Sequence, residues 1–96
     1  MFDEFEWDPL KRARNLKKHL VDFEDAKRVF SGPTLTKLGH SGADGERRDI
    51  AIGLLEGIAV TVVYTMRGSV CRLISARQAS QNERTAYRQA FGAKPP

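Results

Sequence analysis

Ile58-Ala59-Val60-Thr61-Val62-Val63-Tyr64-Thr65-Met66, then Arg67-Gly68-Ser69, then Val70-Cys71-Arg72-Leu73-Ile74-Ser75-Ala76-Arg77 is the stretch that decides the fold. Both flanks are crowded with β-branched and aromatic residues, which fit a pleated, half-buried surface, and the middle supplies a glycine for the turn. Thr61 and Thr65 interrupt the apolar run, which is also far too short to span a bilayer. One detail stays open at this level. A two-residue turn puts Arg67 on the face opposite Ser75 and Arg77, whereas a three-residue loop puts all three on one face. Gly68 suits either.

Working outward, Ile50, Ile52 and Leu54 alternate and Glu56-Gly57 turns the chain, which predicts another strand and a second hairpin. Leu35-Thr36-Lys37-Leu38 is a further candidate strand, and Gly39-His40-Ser41-Gly42-Ala43-Asp44-Gly45 reads as a loop. On the N-terminal side the period is helical. Phe5-Glu6-Trp7 predicts a short strand, and Asp8-Pro9 an N-cap with proline at the first helical position. Leu10, Ala13, Leu16 and Leu20 follow at roughly helical spacing. Asp22 caps a second helix with the stripe Phe23, Ala26, Val29 and Phe30, which Ser31-Gly32-Pro33 stops. At the other end Ser80-Gln81-Asn82-Glu83 has the pattern of a capping box and opens a last helix that Gly92 ends. The expected order is β-α-α-β-β-β-β-α: an α+β fold with a small, mostly antiparallel sheet and its helices on one face.

At 96 residues there is room for one core, expected over residues 1–93 with a short polar tail at 94–96. The acidic opening Met1-Phe2-Asp3-Glu4 has no apolar run behind it, and the single Cys71 excludes an internal disulfide, so the expected compartment is the reducing cytoplasm. Cys71 sits in a strand-like run and is expected to be a packed thiol. Net charge is +4, and from residue 61 onward six basic side chains face only Glu83. The basic excess therefore lies in the last third, nearly all of it arginine, whose planar fork suits phosphate. A solvated face or a dock for an acidic protein would use the same composition.

Metal chemistry has little to build on, because His19, His40 and Cys71 show no ligand spacing; no metal or cofactor is expected. Gly39, Gly42 and Gly45 lead into a strand, not a helix N-terminus, so they read as loop flexibility and not as a phosphate cradle. What remains is a set of arginines at strand ends with loop carboxylates and histidines. RNA can be cut without a metal by its own 2′-hydroxyl if a protein supplies a base, an acid and cations facing the crowded phosphorane. Arg67 and Arg77 end their strands, and His40 and Glu46 lie in or beside the long loop. Surface salt bridges would use the same arginines.

These residues carry a resemblance. Phe5-Glu6-Trp7-Asp8-Pro9, Asn15, Lys18-His19, Phe23-Glu24 and Ala26 resemble the opening of the BrnT family, toxins of type II toxin–antitoxin systems. His40-Ser41, Glu46-Arg47 and Ile52-Gly53 are similar to its central block. Tyr64-Thr65, Arg67-Gly68, Arg72, Ile74-Ser75-Ala76-Arg77, Ala79, Glu83-Arg84 and Tyr87 are similar to its closing block. The resemblance implies a RelE-like fold and a ribonuclease that inhibits translation by cleaving RNA, on or off the ribosome. It also implies a BrnA-like ribbon-helix-helix antitoxin through which alone the pair touches operator DNA. Carried over residue by residue, Arg67 and Arg77 are expected to hold the scissile phosphate, His40 and Glu46 to transfer protons, and Arg47, Lys18, His19 and Arg72 to contact RNA. His19 ends a helix and could equally serve that helix's terminal carbonyls. Trp7 and Tyr64 could stack a base or pack the core. The chain departs from the family at Leu20, where glycine is usual, so the first interhelical turn is expected to differ, and at Arg48 and Asp49, where apolar residues are usual. Rival readings are a module that binds RNA or ribosomes without cutting and an inactive antitoxin-binding partner.

Overall fold

The computed structural model describes residues 2, 4–39, 41–43 and 45–92; His40, Asp44 and the tail at 94–96 lie outside the described residues. The expected element order is observed: β1 (Glu4–Glu6), α1 (Pro9–His19), α2 (Phe23–Ala26), β2 (Leu35–Lys37), β3 (Asp49–Leu55), β4 (Ile58–Arg67), β5 (Val70–Gln78) and α3 (Gln81–Phe91), with α2 running on as a 3₁₀ segment, Lys27–Ser31. The five strands form one sheet in the order β1-β5-β4-β3-β2. Every pairing is antiparallel except β1 with β5, which is parallel. No helix among the described residues is long and apolar enough to cross a membrane.

Local chemistry explains the helix ends. The Asp8 side chain accepts a hydrogen bond from the Leu10 N–H at 3.1 Å, with Pro9 at the first helical position. In α3 the Ser80 hydroxyl accepts from the Glu83 N–H and the Glu83 carboxylate accepts from the Ser80 N–H, completing the capping box. The first interhelical turn passes through Leu20. It has the left-handed conformation that favours glycine, with Leu20 at φ 61° and ψ 25° donating its N–H to the Leu16 carbonyl. A leucine there costs about 1–2 kcal/mol, and its side chain, 83% exposed, gains little in return. Leu20→Gly is therefore expected to raise stability by roughly 1 kcal/mol and the melting temperature by several degrees. A thermal melt in which the variant unfolds earlier would overturn this account of the turn.

The sheet is apolar on both faces, and this corrects the placement of the helices. On the first face Phe23, Ala26, Val29 and Phe30 pack on Ala51, Val60, Val62, Tyr64, Cys71, Leu73 and Ala76. Gly53 lets the 3₁₀ segment lie directly on β3, since a Cβ there would stand 2.9 Å from the Val29 Cβ. On the second face Ile52, Ala79 and Tyr87 form a smaller core with Leu35, Ile50, Leu54 and Ala59. So α1 and α2 cover one face and α3 covers part of the other. The reason lies in β3, where Ala51 and Ile52 are both fully buried and point opposite ways. Cys71 is a packed thiol as expected, and burial pushes its pKa up to about 12, which leaves it unreactive.

One buried polar side chain ties the layers together. β1 pairs only with Val70 to Arg72, which leaves the outer edge of β5 open beyond that point. Asn15, buried on α1, fills it. Its amide nitrogen donates to the Ala76 carbonyl at 2.8 Å and the Val21 carbonyl at 2.9 Å, while its oxygen accepts from the Ala76 N–H at 3.1 Å. The side chain thus stands in for a missing strand residue and fixes α1 against the sheet edge.

Candidate functional site: the open half of the second sheet face

The register of the β4–β5 hairpin decides which arginines meet. Arg67 pairs with Val70, so the turn has two residues, and by that alone Arg67 would face away from Ser75 and Arg77. The register slips further up, where Tyr64 pairs with Leu73 and Val63 with Ser75, leaving Ile74 as an extra residue on β5. That bulge swaps the faces once more. Arg67, Arg72, Ser75 and Arg77 consequently all lie on the second face, together with Thr61, Val63 and Thr65. Tyr64, Leu73 and Ala76 stay in the core. The sequence left two alternatives open, and the structure takes the turn of one and the shared face of the other, because the bulge supplies the missing residue.

At the hairpin's turn end the charges form a chain. The Arg67 Nε and Nη2 donate to the two oxygens of Glu46 at 2.9 and 3.2 Å, and Arg67 Nη1 lies 3.9 Å from Glu6 Oε2. Arg72 Nη1 donates to the same Glu6 oxygen at 2.9 Å. Glu6 comes from β1, directly beside Arg72 in the parallel pairing. The loop before β3 delivers Glu46: Ser41 bridges Arg47, Gly42 donates to the Glu46 carbonyl at 2.8 Å, and the Thr65 hydroxyl donates to the Arg47 carbonyl at 2.7 Å. Gly39 permits the entry of that loop, since a Cβ there would stand 1.5 Å from the Arg48 carbonyl oxygen.

Arg77 stands at the far end of the same face. It is level with Thr61, six residues along β4 from Arg67, roughly 20 Å away at ~3.3 Å per residue. The two arginines do not converge on one phosphate, contrary to the expectation that they share it. Arg77 instead forks onto Glu83 at 2.7 and 3.0 Å, and the Thr61 hydroxyl donates to that carboxylate at 2.9 Å. This contact pins α3 to the sheet. The Arg77 hydrogen bonds, foremost, hold the Glu83 pKa down at about 2, and the pair raises that of Arg77.

The other expected site residues fall elsewhere. Arg47 donates to Asp49 at 3.1 Å, and Asp49, paired with Tyr64, belongs to the first face, so the Arg47 guanidinium turns away from Arg67. Asp49 is buried there and accepts from the Gly39 N–H at 3.2 Å, which is how β3 tolerates a carboxylate in its first position. Lys18 and His19 lie at the end of α1, beside Ile74. Trp7 packs on Phe23 and Tyr64 on Phe30, with ring centroids 6.1 and 5.3 Å apart, so both aromatics belong to the core. His40 lies outside the described residues. Two members of the cluster escaped the sequence reading. Glu6 reaches it only through a parallel pairing between chain ends, which leaves no local signal. Thr65 looked like one more β-branched strand residue.

The three-dimensional charge map also differs from the linear one. Arg67, Arg72 and Arg77 each face a carboxylate, two of which come from earlier in the chain. On α1 only Arg12 is so matched, by Asp22. Lys11, Arg14, Lys17 and Lys18 make no ion pair among the described residues. Among the described residues the densest run of cations without an ion pair is therefore on the first helix, while in the last third Arg84 and Arg88 remain without one. No group of three or more His, Cys, Asp or Glu side chains gathers into a metal-sized cluster among the described residues.

None of the curated proteins compared with the chain matches it. A family model described as ribonuclease toxin, BrnT, of type II toxin–antitoxin system matches residues 7–83, which takes in α1, α2, all of β2 to β5 and the start of α3. With most of its length and nearly the whole of the arginine-bearing face inside that match, the chain belongs to the BrnT family of ribonuclease toxins.

Proposed function

We propose that the protein is a metal-independent endoribonuclease that inhibits translation, and that it cuts RNA on the open half of the second sheet face. The observation that carries this reading is the Arg67–Glu46 fork, which holds a guanidinium and a carboxylate side by side on an open strand end. Cleavage without a metal needs that pairing of a cation for the phosphorane with a proton acceptor for the attacking hydroxyl. Glu46 takes the proton of the 2′-hydroxyl as its oxygen attacks the adjacent phosphorus. The bond to the 5′-oxygen breaks, and His40, placed in this role by the sequence alone, returns a proton to that oxygen. Arg67 and Arg72 face the charged phosphate, and Ser75 lies on the same face beside them. Arg77 keeps α3 in place. A BrnA-like ribbon-helix-helix antitoxin silences the toxin by covering this surface, and the pair reaches operator DNA through the antitoxin.

Cleavage is expected to persist in excess EDTA and to leave 2′,3′-cyclic or 3′-phosphate ends, read by end-labelling and mass spectrometry. Activity that disappears with the chelator and returns with magnesium would refute the mechanism.

A further inference from the structure

The unmatched cations of α1 have a shape as well as a sign. Lys11, Arg14 and Lys18 follow one another by three and four residues, so they line one side of the helix about 4.5 and 6 Å apart along its axis. All three are exposed, and with Asn15, His19 and Ile74 they line a shallow cavity of about 260 Å³ between α1 and β5. Ile74 is the bulge residue, set between Arg72 and Ser75 on the face where the cut is placed. Asn15 locks the helix to this strand through Ala76, so the row of cations is held at a fixed distance from that face.

We infer that Lys11, Arg14 and Lys18 form a track for the phosphates of the RNA strand beside the cut, with the strand crossing the edge of β5 at Ile74. The inference rests on the ribonuclease reading and extends it to a site of several nucleotides. Three features favour a nucleic-acid strand over an acidic segment of a partner protein. The cations recur at nearly even intervals, as the phosphates of a strand do. Ile74 is the one apolar residue lining the cavity, enough for a sugar or base edge but not for an apolar helix face. The cavity also reaches Ile74, next in β5 to Ser75 of the cleavage face.

The test is binding of a fluorescent single-stranded RNA, blocked at the cut by a 2′-deoxy substitution, to the full chain and to Lys11→Gln/Arg14→Gln/Lys18→Gln. The full chain should gain affinity as the strand lengthens from a dinucleotide to a dodecamer. The triple variant should lose at least tenfold on the longer strand. Its salt dependence should be shallower by about 2 in log–log slope, near 0.7 for each lost phosphate contact. Lys37→Gln/Arg88→Gln removes exposed charge elsewhere and should change little. A triple variant that binds like the full chain, or that weakens only antitoxin binding, would overturn the inference. Strong binding through the row by a chain that never cuts the unblocked strand would instead refute the ribonuclease reading and leave the row standing.

Discussion

Arg67→Ala is expected to slow RNA cleavage by two to three orders of magnitude while leaving the melting temperature nearly unchanged. The rate effect follows from its place: a cation fixed against the phosphate contributes most when negative charge accumulates there, and losing one such donor costs about 10²- to 10³-fold. The small stability effect follows from its exposure. Arg67 is half-exposed and its partners Glu46 and Glu6 are partly so, and such pairs contribute about 0–1 kcal/mol. Arg77→Ala should do the reverse in part, lowering stability because it strips Glu83 of its fork and loosens α3. Arg88→Ala, on the exposed side of α3, serves as the control for general loss of charge. A folded Arg67→Ala protein that cuts at the native rate would remove this arginine from the mechanism.

Asn15→Ala is expected to be the most destabilising single change outside the apolar core. It leaves the Ala76 N–H, the Ala76 carbonyl and the Val21 carbonyl without their partner in a buried site. At about 1 kcal/mol or more for each stranded group the loss is roughly 3 kcal/mol, a fall of about 15 °C in melting temperature for a domain of this size. Asn15→Asp should not rescue it, because a carboxylate still accepts from Ala76 N–H but sets a negative charge against two carbonyl oxygens. A melting temperature within a few degrees of the native value would mean that water replaces the side chain and that α1 is not fixed as described.

How far the sequence could be read is clearest in the β4–β5 hairpin. Alternation and the Gly68-Ser69 turn make both strands legible, since side-chain period and turn chemistry are local. The bulge at Ile74 is not, because an extra residue in a strand needs no special residue type and is decided by what packs on each side. Here Leu73 and Ala76 both enter the core, and Asn15 grips Ala76 from another element. The second face of β3 is legible as alternating Ile50, Ile52 and Leu54, but the burial of Ala51 and Gly53 on the other side is not, and without it nothing in the sequence places α3 on a layer of its own. Linear charge misleads for a similar reason. Counting by thirds puts the positive excess among the C-terminal arginines, yet Glu6 and Glu46 fold back onto Arg72 and Arg67, which leaves a denser run of unmatched cations on α1 than in the last third. The Asp8 and Asp22 N-caps and the Ser80–Glu83 capping box involve residues within a turn of one another, and these are legible in the sequence.

The central claim is that RNA lies across Arg67 and Arg72 on the second sheet face. Its most direct test is a titration of isotope-labelled protein with a short RNA blocked at the cut by a 2′-deoxy substitution, followed through the backbone amide resonances. The account expects the largest shifts at Thr65, Arg67, Arg72 and Ser75, with the core residues Val62 and Leu73 nearly still. Shifts confined to α3 and the Arg77–Glu83 end, with Arg67 and Arg72 unmoved, would contradict it.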